Sequence, residues 1–341
     1  MPPELLRFLR LFFKFLNPYQ TLFYIIYYSE RTLTNNKLLL DLGGTNLRIG
    51  YGDQENLSID KITKIKISND SEILAIIKKQ LAERPANEII FSAAGPKSGN
   101  SIVMTNRSLN LDGAELSSSL DVDSCYMLND WESIGYCLPL LHDSDLVSIK
   151  SGDRNTNQTS LAVGPGTGLG FSILRYINQV PYVFATELGN AKSFNNYLRE
   201  VFEIGDQNNF PVLESFLSGK GITKIYQAKS GLIKTSEEIV DSYGSDDLAT
   251  DMLNNFGKSM GRVLADLSLT SMATGGIYFA GSLMRVLSQL DVITALKDEF
   301  DDHVSEHHQS ILKNISINLI TKPHTPLYGN LNYSIVRRLH E

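Results

Sequence analysis

Leu38-Leu39-Leu40-Asp41-Leu42-Gly43-Gly44-Thr45-Asn46-Leu47-Arg48-Ile49-Gly50 is an apolar strand that delivers a carboxylate to a Gly-Gly-Thr turn, with a second apolar run leaving it. Glycine in such a turn lets backbone N–H groups approach an anion that a Cβ would hold off. The aspartate at the strand end can reach a phosphate-bound Mg2+ through water, because hard cations take oxygen ligands. Taken alone, the same letters also suit an ordinary β-hairpin turn.

Two further segments separate these readings. Leu161-Ala-Val-Gly164-Pro165-Gly166-Thr167-Gly168-Leu169-Gly170-Phe171-Ser172-Ile173-Leu174 is again strand, Gly/Thr turn and strand. Gly275-Gly276-Ile277-Tyr278-Phe279-Ala280-Gly281-Ser282 is a strand ending at small residues before a helix expected over 283–290. The chain has no G-x-x-x-x-G-K-[ST] and no G-x-G-x-x-G opening a helix, so the P-loop and dinucleotide-binding readings fail. Two strand-turn-strand loops plus a late Gly-Gly-strand-Ala-Gly segment resemble the actin/hexokinase group of ATP-binding folds.

With these segments in place, the chain from Lys37 to its end resembles a bacterial-type glucokinase. The resemblance extends to Met104-Thr105-Asn106, Leu128-Asn129-Asp130, Glu187 in Thr-Glu-Leu-Gly-Asn, Glu214 in Glu-Ser-Phe-Leu-Ser-Gly219, and a closing helix after Pro326. Together these ordered segments make it specific, although each is weak alone. It implies an α/β protein of two ribonuclease-H-like domains around a cleft. It also implies ATP-dependent phosphorylation of glucose at the 6-hydroxyl, the opening step of glycolysis, in a cytoplasmic homodimer. The runner-up readings are a kinase for another hexose or an amino sugar, and a non-catalytic sugar-binding regulator.

Composition is ordinary for a soluble globular protein. The 341 residues are 42% hydrophobic and 20% charged, with a net charge of −7. An acidic chain without a Lys/Arg cluster disfavours nucleic acid as a partner. Cys125 and Cys137 are the two cysteines. They exclude a disulfide scaffold and suit a reducing cytosol. Neither has metal-ligand spacing, which sets the chain apart from the related ROK sugar kinases and their Cys-rich zinc motif.

Residues 1–36 stand outside the resemblance. Arg7, Arg10 and Lys14 share one face of a helix whose other faces carry Leu5, Leu6, Phe8, Leu9, Phe12, Phe13 and Leu16. Asn17-Pro18 should stop it. No apolar run reaches the roughly 18 residues that span a bilayer. A membrane-interface helix, a poor signal sequence and a mis-set start or disordered tail compete. The last is favoured over membrane contact, and the kinase body is expected to be complete without this segment.

In the body, strands are expected at 37–42, 46–51, 59–67, 101–105, 125–128, 159–164, 169–175 and 180–184, with Glu88–Phe91 a further short strand. Helices are expected over 71–83, from Trp131, and from a Ser245 N-cap with Asp246 and Asp247 in its first turn. No repeat appears in the letters. The expected linker is 141–158. The domains are expected as 37–140 plus 323–341, and 141–322.

Phosphoryl transfer needs positioning, charge neutralisation and a base near the attacking hydroxyl. Asp130, after the apolar strand Cys125–Leu128, matches the family's catalytic aspartate; an N-cap for the following helix is the competing role. The resemblance assigns the sugar hydroxyls to Asn106, Asn129, Asp130, Glu187, Asn190 and Glu214. Such a site wants carboxylates and amides together, because hydroxyls both donate and accept. Asn106 capping a turn, and Glu187 and Glu214 as surface residues, are the plain alternatives. One departure stands out: the family has Gly-Gly-His after this glutamate, whereas here Glu187-Leu188-Gly189-Asn190 replaces the histidine with an amide. That leaves the sugar open.

Asp41 should orient Mg2+ through water. Gly43, Gly44, Thr45 and Asn46 should approach the phosphates of ATP, Gly166, Thr167 and Gly168 should form the second loop, and Gly275, Gly276 and Gly281 should flank the adenosine. Arg48 has two readings, a phosphate neutraliser and a salt-bridge partner. His303, His307 and His308 read as a solvated polar face in preference to a metal site. Trp131 reads as packing.

Overall fold

A computed structural model describes residues 36–104, 107, 109–155 and 157–340. The expectations for residues 1–35 and for Asn106 lie outside the described residues. The chain divides into two compact units. One comprises the chain through Leu128 together with Tyr176–Tyr182 and Asn330–Glu341; the other comprises Asn129–Arg175 and Val183–Gly329.

The first unit is built on strands β1 (Lys37–Leu42), β2 (Asn46–Asp53), β3 (Ser58–Lys66), β4 (Glu88–Ala93) and β8 (Ser124–Asn129), in the sheet order β3-β2-β1-β4-β8. Every residue of β1 is buried. A strand covered on both faces needs a continuous apolar run, which Leu38-Leu39-Leu40 supplies. β1 pairs antiparallel with β2 and parallel with β4. Helix α1 (Glu72–Glu83) buries Ile73 and Ile77, one helical turn apart. Strands β5 (Lys97–Ser98), β6 (Ser101–Val103) and β7 (Asn110–Asp112) form a small separate sheet. Helix α2 (Gly113–Leu120) starts where the Asp112 carboxylate accepts from the N–H groups of Ala114 and Glu115.

The second unit runs through α3 (Asp130–Cys137), β9 (Leu146–Lys150), β10 (Ser160–Pro165), β11 (Leu169–Ile177), β12 (Val180–Ala185), α4 (Asn195–Phe202), α5 (Gly219–Ser230), α6 (Ser236–Asp241) and α7 (Asp247–Ser271). It continues with β13 (Ile277–Phe279), α8 (Ser282–Leu287), α9 (Val292–Asp302), α10 (Glu306–Asn314), β14 (Ile317–Ile320) and the start of α11 (Thr325–Val336), whose residues from Asn330 onward belong to the first unit. Its sheet order is β12-β11-β10-β13-β14-β9. β10 pairs antiparallel with β11 and parallel with β13, and β13 parallel with β14. The pattern β3-β2-β1-β4 thus recurs as β12-β11-β10-β13: the chain repeats in topology without repeating in letters. Gly257 and Gly261, one turn apart on α7, let α9 approach closely. A Cβ on either would run into the backbone carbonyl of Val292 or Leu296.

Four expectations change. The segment 141–158 contains β9, which pairs antiparallel with β14 as an edge strand of the second sheet. Helix α3, expected with the first domain, packs in the second unit. There Gly135 leaves room for Val183 and Ser172, and Gly329 of α11 leaves room for the Ser133 carbonyl. The N-cap of α7 is Asp246, whose carboxylate accepts from the Ala249 N–H, while the Ser245 hydroxyl donates to the Ser242 carbonyl. His303 and His307 belong to different helices, since α9 ends at Asp302 and α10 begins at Glu306. His303 is mostly buried and bonds Asp266 at 3.1 Å. Among the described residues no cluster of His, Cys, Asp or Glu could hold a metal ion by itself, and no helix is long and apolar enough to cross a membrane.

Candidate active site

The first unit carries the β1–β2 turn. Asp41 is buried, and the register sets it opposite Arg48 on β2 and Ser92 on β4. Arg48 Nη1 lies 2.6 Å from Asp41 Oδ2. The Ser92 hydroxyl donates to Asp41 Oδ1 at 3.3 Å and to the Leu40 carbonyl at 3.2 Å. Arg48 is therefore a salt-bridge partner, and its partner is Asp41 itself. Past the strand end, the Gly43 N–H donates to the Asn46 carbonyl at 3.0 Å and Asn46 Nδ2 donates to Thr45 Oγ1 at 2.8 Å. Asn46 therefore closes the turn. Gly44 and Thr45 are its exposed tip.

In the second unit, Asn129 rather than Asp130 caps α3. The Asn129 side chain accepts from the N–H groups of Trp131 and Glu132, and the Glu132 carboxylate accepts from the Asn129 N–H at 3.1 Å. This capping box leaves Asp130 as the first helical residue, half-buried, its Oδ1 accepting from the Trp131 N–H at 3.0 Å. The following Trp131 fills a slot that Gly164 and Gly170 vacate. Sequence reading missed this use of the two outer glycines of the second loop. The signal was there: an isolated glycine inside a strand marks close approach.

Glu187, Asn190 and Glu214 come together in this unit on two short turns. Asn190 Nδ2 donates to Glu187 Oε2 at 3.3 Å. Burial, helped by the nearby charge of Glu214 and opposed by the Asn190 bond, pushes the Glu187 carboxyl above its ordinary pKa. Glu214 Oε2 accepts from the Leu169 N–H at 3.2 Å, and a Cβ on Gly168 would lie 2.5 Å from the same oxygen. Gly168 is thus shaped for a carboxylate as well as for the turn.

The second loop borders a cleft of about 720 Å3 within the unit. Gly166 and Thr167 line it, with Lys220, Thr223 and Lys224 of α5, Ile233, Lys234, and Ser282, Leu283 and Val286 of α8. The Gly219 N–H ties the start of α5 to the Gly166 carbonyl at 2.8 Å. Ile233 is 80% exposed and Val286 45%, so the cleft carries apolar surface that none of the described residues covers. Lys220 and Lys224 were missed in the sequence because their spacing looks like any solvated helix face.

The three late glycines part company. β10 and β13 run parallel, so Gly281, after β13, lies at the same end as Pro165 and Gly166. Gly275 and Gly276 precede β13 and pack against Gln158, Ser160 and Ser316 at the opposite end. At strand rise this is roughly 15 Å away. The expectation that Gly275 and Gly276 flank the nucleotide is corrected: they let β13 enter the sheet, and Gly276 holds a φ of +106° that suits glycine.

The residues present suit Mg2+ carried on a nucleotide. Asp41 is a lone carboxylate whose oxygens already take Arg48 and Ser92, which favours a water-mediated contact over direct ligation. Mg2+ keeps its waters and takes few protein ligands when phosphates supply the rest.

Residues 38–334 match the family described as Glucokinase. The chain is 27% identical over 323 residues to the glucokinase of Nitrobacter hamburgensis, covering 89% of this chain and 98% of that one. The crystal structure of a glucokinase from an Antarctic psychrotroph aligns with a TM-score of 0.73 at 20% identity, covering 90% of this chain and 100% of the other. A ROK family glucokinase from Streptomyces griseus, in complex with glucose and AMPPNP, aligns with a TM-score of 0.62 at 15% identity, over 89% of this chain and 100% of that one.

Proposed function

The chain belongs to the glucokinase family and is a sugar phosphotransferase, and we propose that it moves the γ-phosphoryl group of ATP to the 6-hydroxyl of glucose with Asp130 as general base. The observation that carries this reading is the capping geometry at the end of β8. A cap was the competing role for Asp130, and Asn129 takes it. An aspartate at the first helical position after a buried strand holds its carboxylate on a rigid element, where a general base is best kept. As the 6-oxygen attacks, its proton passes to a carboxylate oxygen of Asp130. Glu187 and Glu214 accept from the other hydroxyls, and amide groups of Asn106, Asn129 and Asn190 complete the polyol site.

ATP as donor is supported by the open cleft beside Gly166-Thr167. Its apolar walls, Ile233, Leu283 and Val286, suit a flat base, and the paired lysines of α5 suit an anion. When bound, ATP supplies the phosphoryl group and Mg2+ offsets the charge on the phosphates. In the first turn the backbone N–H groups of Gly44 and Thr45, which the Gly43-to-Asn46 bond leaves outside the turn's own hydrogen bonding, would be the phosphate donors, and Asp41 would take the metal through water. A hexose other than glucose is the second reading, favoured by Asn190, which donates to Glu187 as an amide.

A coupled ADP-release assay with Mg-ATP and a hexose panel, run on the full chain and on Asp130→Asn, tests the reading. Glucose-dependent turnover that falls by about 10²-fold or more in the variant is expected. Near-full turnover in Asp130→Asn removes the base. Turnover with another sugar alone moves the substrate to the second reading.

A further inference from the structure

In the first unit, the tip of the β1–β2 turn is exposed at Gly44 and Thr45. Apart from its chain neighbours, no atom of the described residues lies within 4 Å of the place a Gly44 Cβ would take, and glycine has the widest conformational range of any residue. A turn that is to bind phosphate through backbone N–H groups must be held still beforehand, or binding has to order it. Arg107 holds it. Its Nε and Nη2 donate to the Gly44 carbonyl at 3.3 and 3.0 Å. Nη2 also donates to the Ile67 carbonyl at 3.3 Å, and Nη1 pairs with the Asp70 carboxylate. The Arg107 side chain is 11% exposed. The Ile67 N–H in turn donates to the Thr45 carbonyl at 2.9 Å.

The consequence follows from peptide geometry. In a trans peptide the C=O and the next N–H point in opposite directions within one plane. A guanidinium fork that seizes the Gly44 carbonyl therefore turns the Thr45 N–H to the other side. Neither the Gly44 nor the Thr45 N–H has a partner among the described residues. These are the donors a phosphate would use, and one of them is aimed by Arg107.

We propose that Arg107 is a positioning residue for the phosphate end of the nucleotide, acting through the Gly44–Thr45 peptide. The inference rests on the reading of ATP as the phosphoryl donor. An arginine suits the task because its planar fork reaches three acceptors at once, which an ammonium on a flexible stem does not.

The test is titration of Mg-AMPPNP into the full chain by calorimetry, with steady-state kinetics and thermal melts, for wild type, Arg107→Gln and Arg107→Lys. Loss of the charge-assisted bonds should weaken Mg-AMPPNP binding and raise KM for ATP by about tenfold in Arg107→Gln. The KM for glucose should stay within about twofold, because the proposal touches the phosphate turn alone. Arg107→Lys should recover only part of the affinity. Unchanged nucleotide affinity in Arg107→Gln, or a glucose KM that rises in step, overturns the proposal. Should wild type itself fail to bind Mg-AMPPNP, the donor reading falls and this one with it. Should Arg107→Gln fail to fold, Asp70→Asn frees the guanidinium from its far side. It should weaken binding by about threefold, the effect of one weakened partly exposed pair, and unchanged affinity there overturns the proposal equally.

Discussion

The indole of Trp131 occupies the space where residue 170 would carry a Cβ, so Gly170 and Trp131 interlock. Gly164 vacates the other side of the same ring, and the Ser172 hydroxyl donates to the Trp131 carbonyl at 2.7 Å. Trp131 directly follows Asp130. The glycines flanking the second loop therefore set where the first turn of α3, and the carboxylate on it, comes to rest.

Gly170→Ala forces a methyl into that ring. Overpacking of a well-filled site costs about 1–3 kcal/mol, and urea denaturation should register a loss in this range. Because the displaced residue neighbours Asp130, kcat should fall by about tenfold with smaller changes in either KM, the signature of a misplaced reacting group. Adding Trp131→Leu to Gly170→Ala should return stability toward the wild-type value by making room for the methyl. Full activity and stability in Gly170→Ala alone would show that the interlock does not matter.

Glu88 is the electrostatic hub of the first unit. It pairs with Lys37 at 2.6 Å and Arg337 at 2.7 Å, with Glu88 and Lys37 both buried. Burial by itself would raise the Glu88 carboxyl, but the Arg337 bond and the Lys37 charge outweigh it and hold the pKa below the ordinary value. A lowered folded pKa contributes stability that is present above the unfolded pKa and lost as pH falls through the folded one. Glu88→Gln should therefore cost about 3–5 kcal/mol at neutral pH, chiefly because Lys37 is left buried without a counter-charge. The gap between variant and wild type should narrow as pH falls below the ordinary glutamate pKa of about 4.3 toward the lower folded one. Lys37→Met with Glu88→Met should be milder than Glu88→Gln alone. Denaturant midpoints across pH for the three chains decide it.

Much of the fold is readable from letters for a physical reason. β1, β10 and β11 are central strands with continuous or alternating apolar residues, and their expected bounds agree with the structure to within two residues. The Gly/Thr turns between them are punctuated by residues that permit little else. β9 reads as a linker because an edge strand is half-exposed and its mixture of Val147, Ser148 and Lys150 lacks a clean period. Gly275-Gly276 reads as a turn at either end of a strand, and only the parallel pairing of β10 with β13 says which end faces the loop. The cap at Asn129 and the proposed base at Asp130 are adjacent polar residues, separable only by dihedral angles. The role of Arg107 was illegible because its partners, Gly44, Ile67 and Asp70, are brought to it by tertiary folding. The repeated strand order leaves no mark in the letters at all, since it lives in pairing rather than composition.

If Glu187 accepts from sugar hydroxyls as proposed, its raised carboxyl makes glucose binding depend on pH. Burial first, and the neighbouring charge of Glu214 second, raise its carboxyl above the ordinary range. The ionised form, the one that accepts hydroxyl bonds, is therefore lost at a higher pH than for an ordinary glutamate as acid is added. KM for glucose should rise as pH drops through the range just above the usual pKa of about 4.3. Glu187→Gln should show a higher KM that no longer changes over that range. The stability sign is opposite: a raised folded pKa means ionised Glu187 costs the fold stability at neutral pH, so the glutamine variant should melt no lower than wild type. A glucose KM that is flat with pH in wild type would deny Glu187 this role.

The cleft beside Thr167 makes the last separation, between the nucleotide and the sugar. Lys220 and Lys224 stand one turn apart on α5 and both line it. They are solvent-exposed, so each should contribute modestly: Lys220→Gln and Lys224→Gln should each raise KM for ATP by about two- to fivefold. Exposed charges are screened by salt, so the effect should shrink as ionic strength rises toward about 1 M. Ile233→Asp is a sharper probe, because it sets a carboxylate against the face expected to hold a neutral base and near a polyanion; a rise of about tenfold or more in KM for ATP is expected. Glucose KM should be unmoved in all three, since Glu187, Asn190 and Glu214 sit on other turns. Initial-rate titrations of ATP and glucose at two salt concentrations would read both at once, and an ATP KM unchanged in Ile233→Asp would place the nucleotide elsewhere.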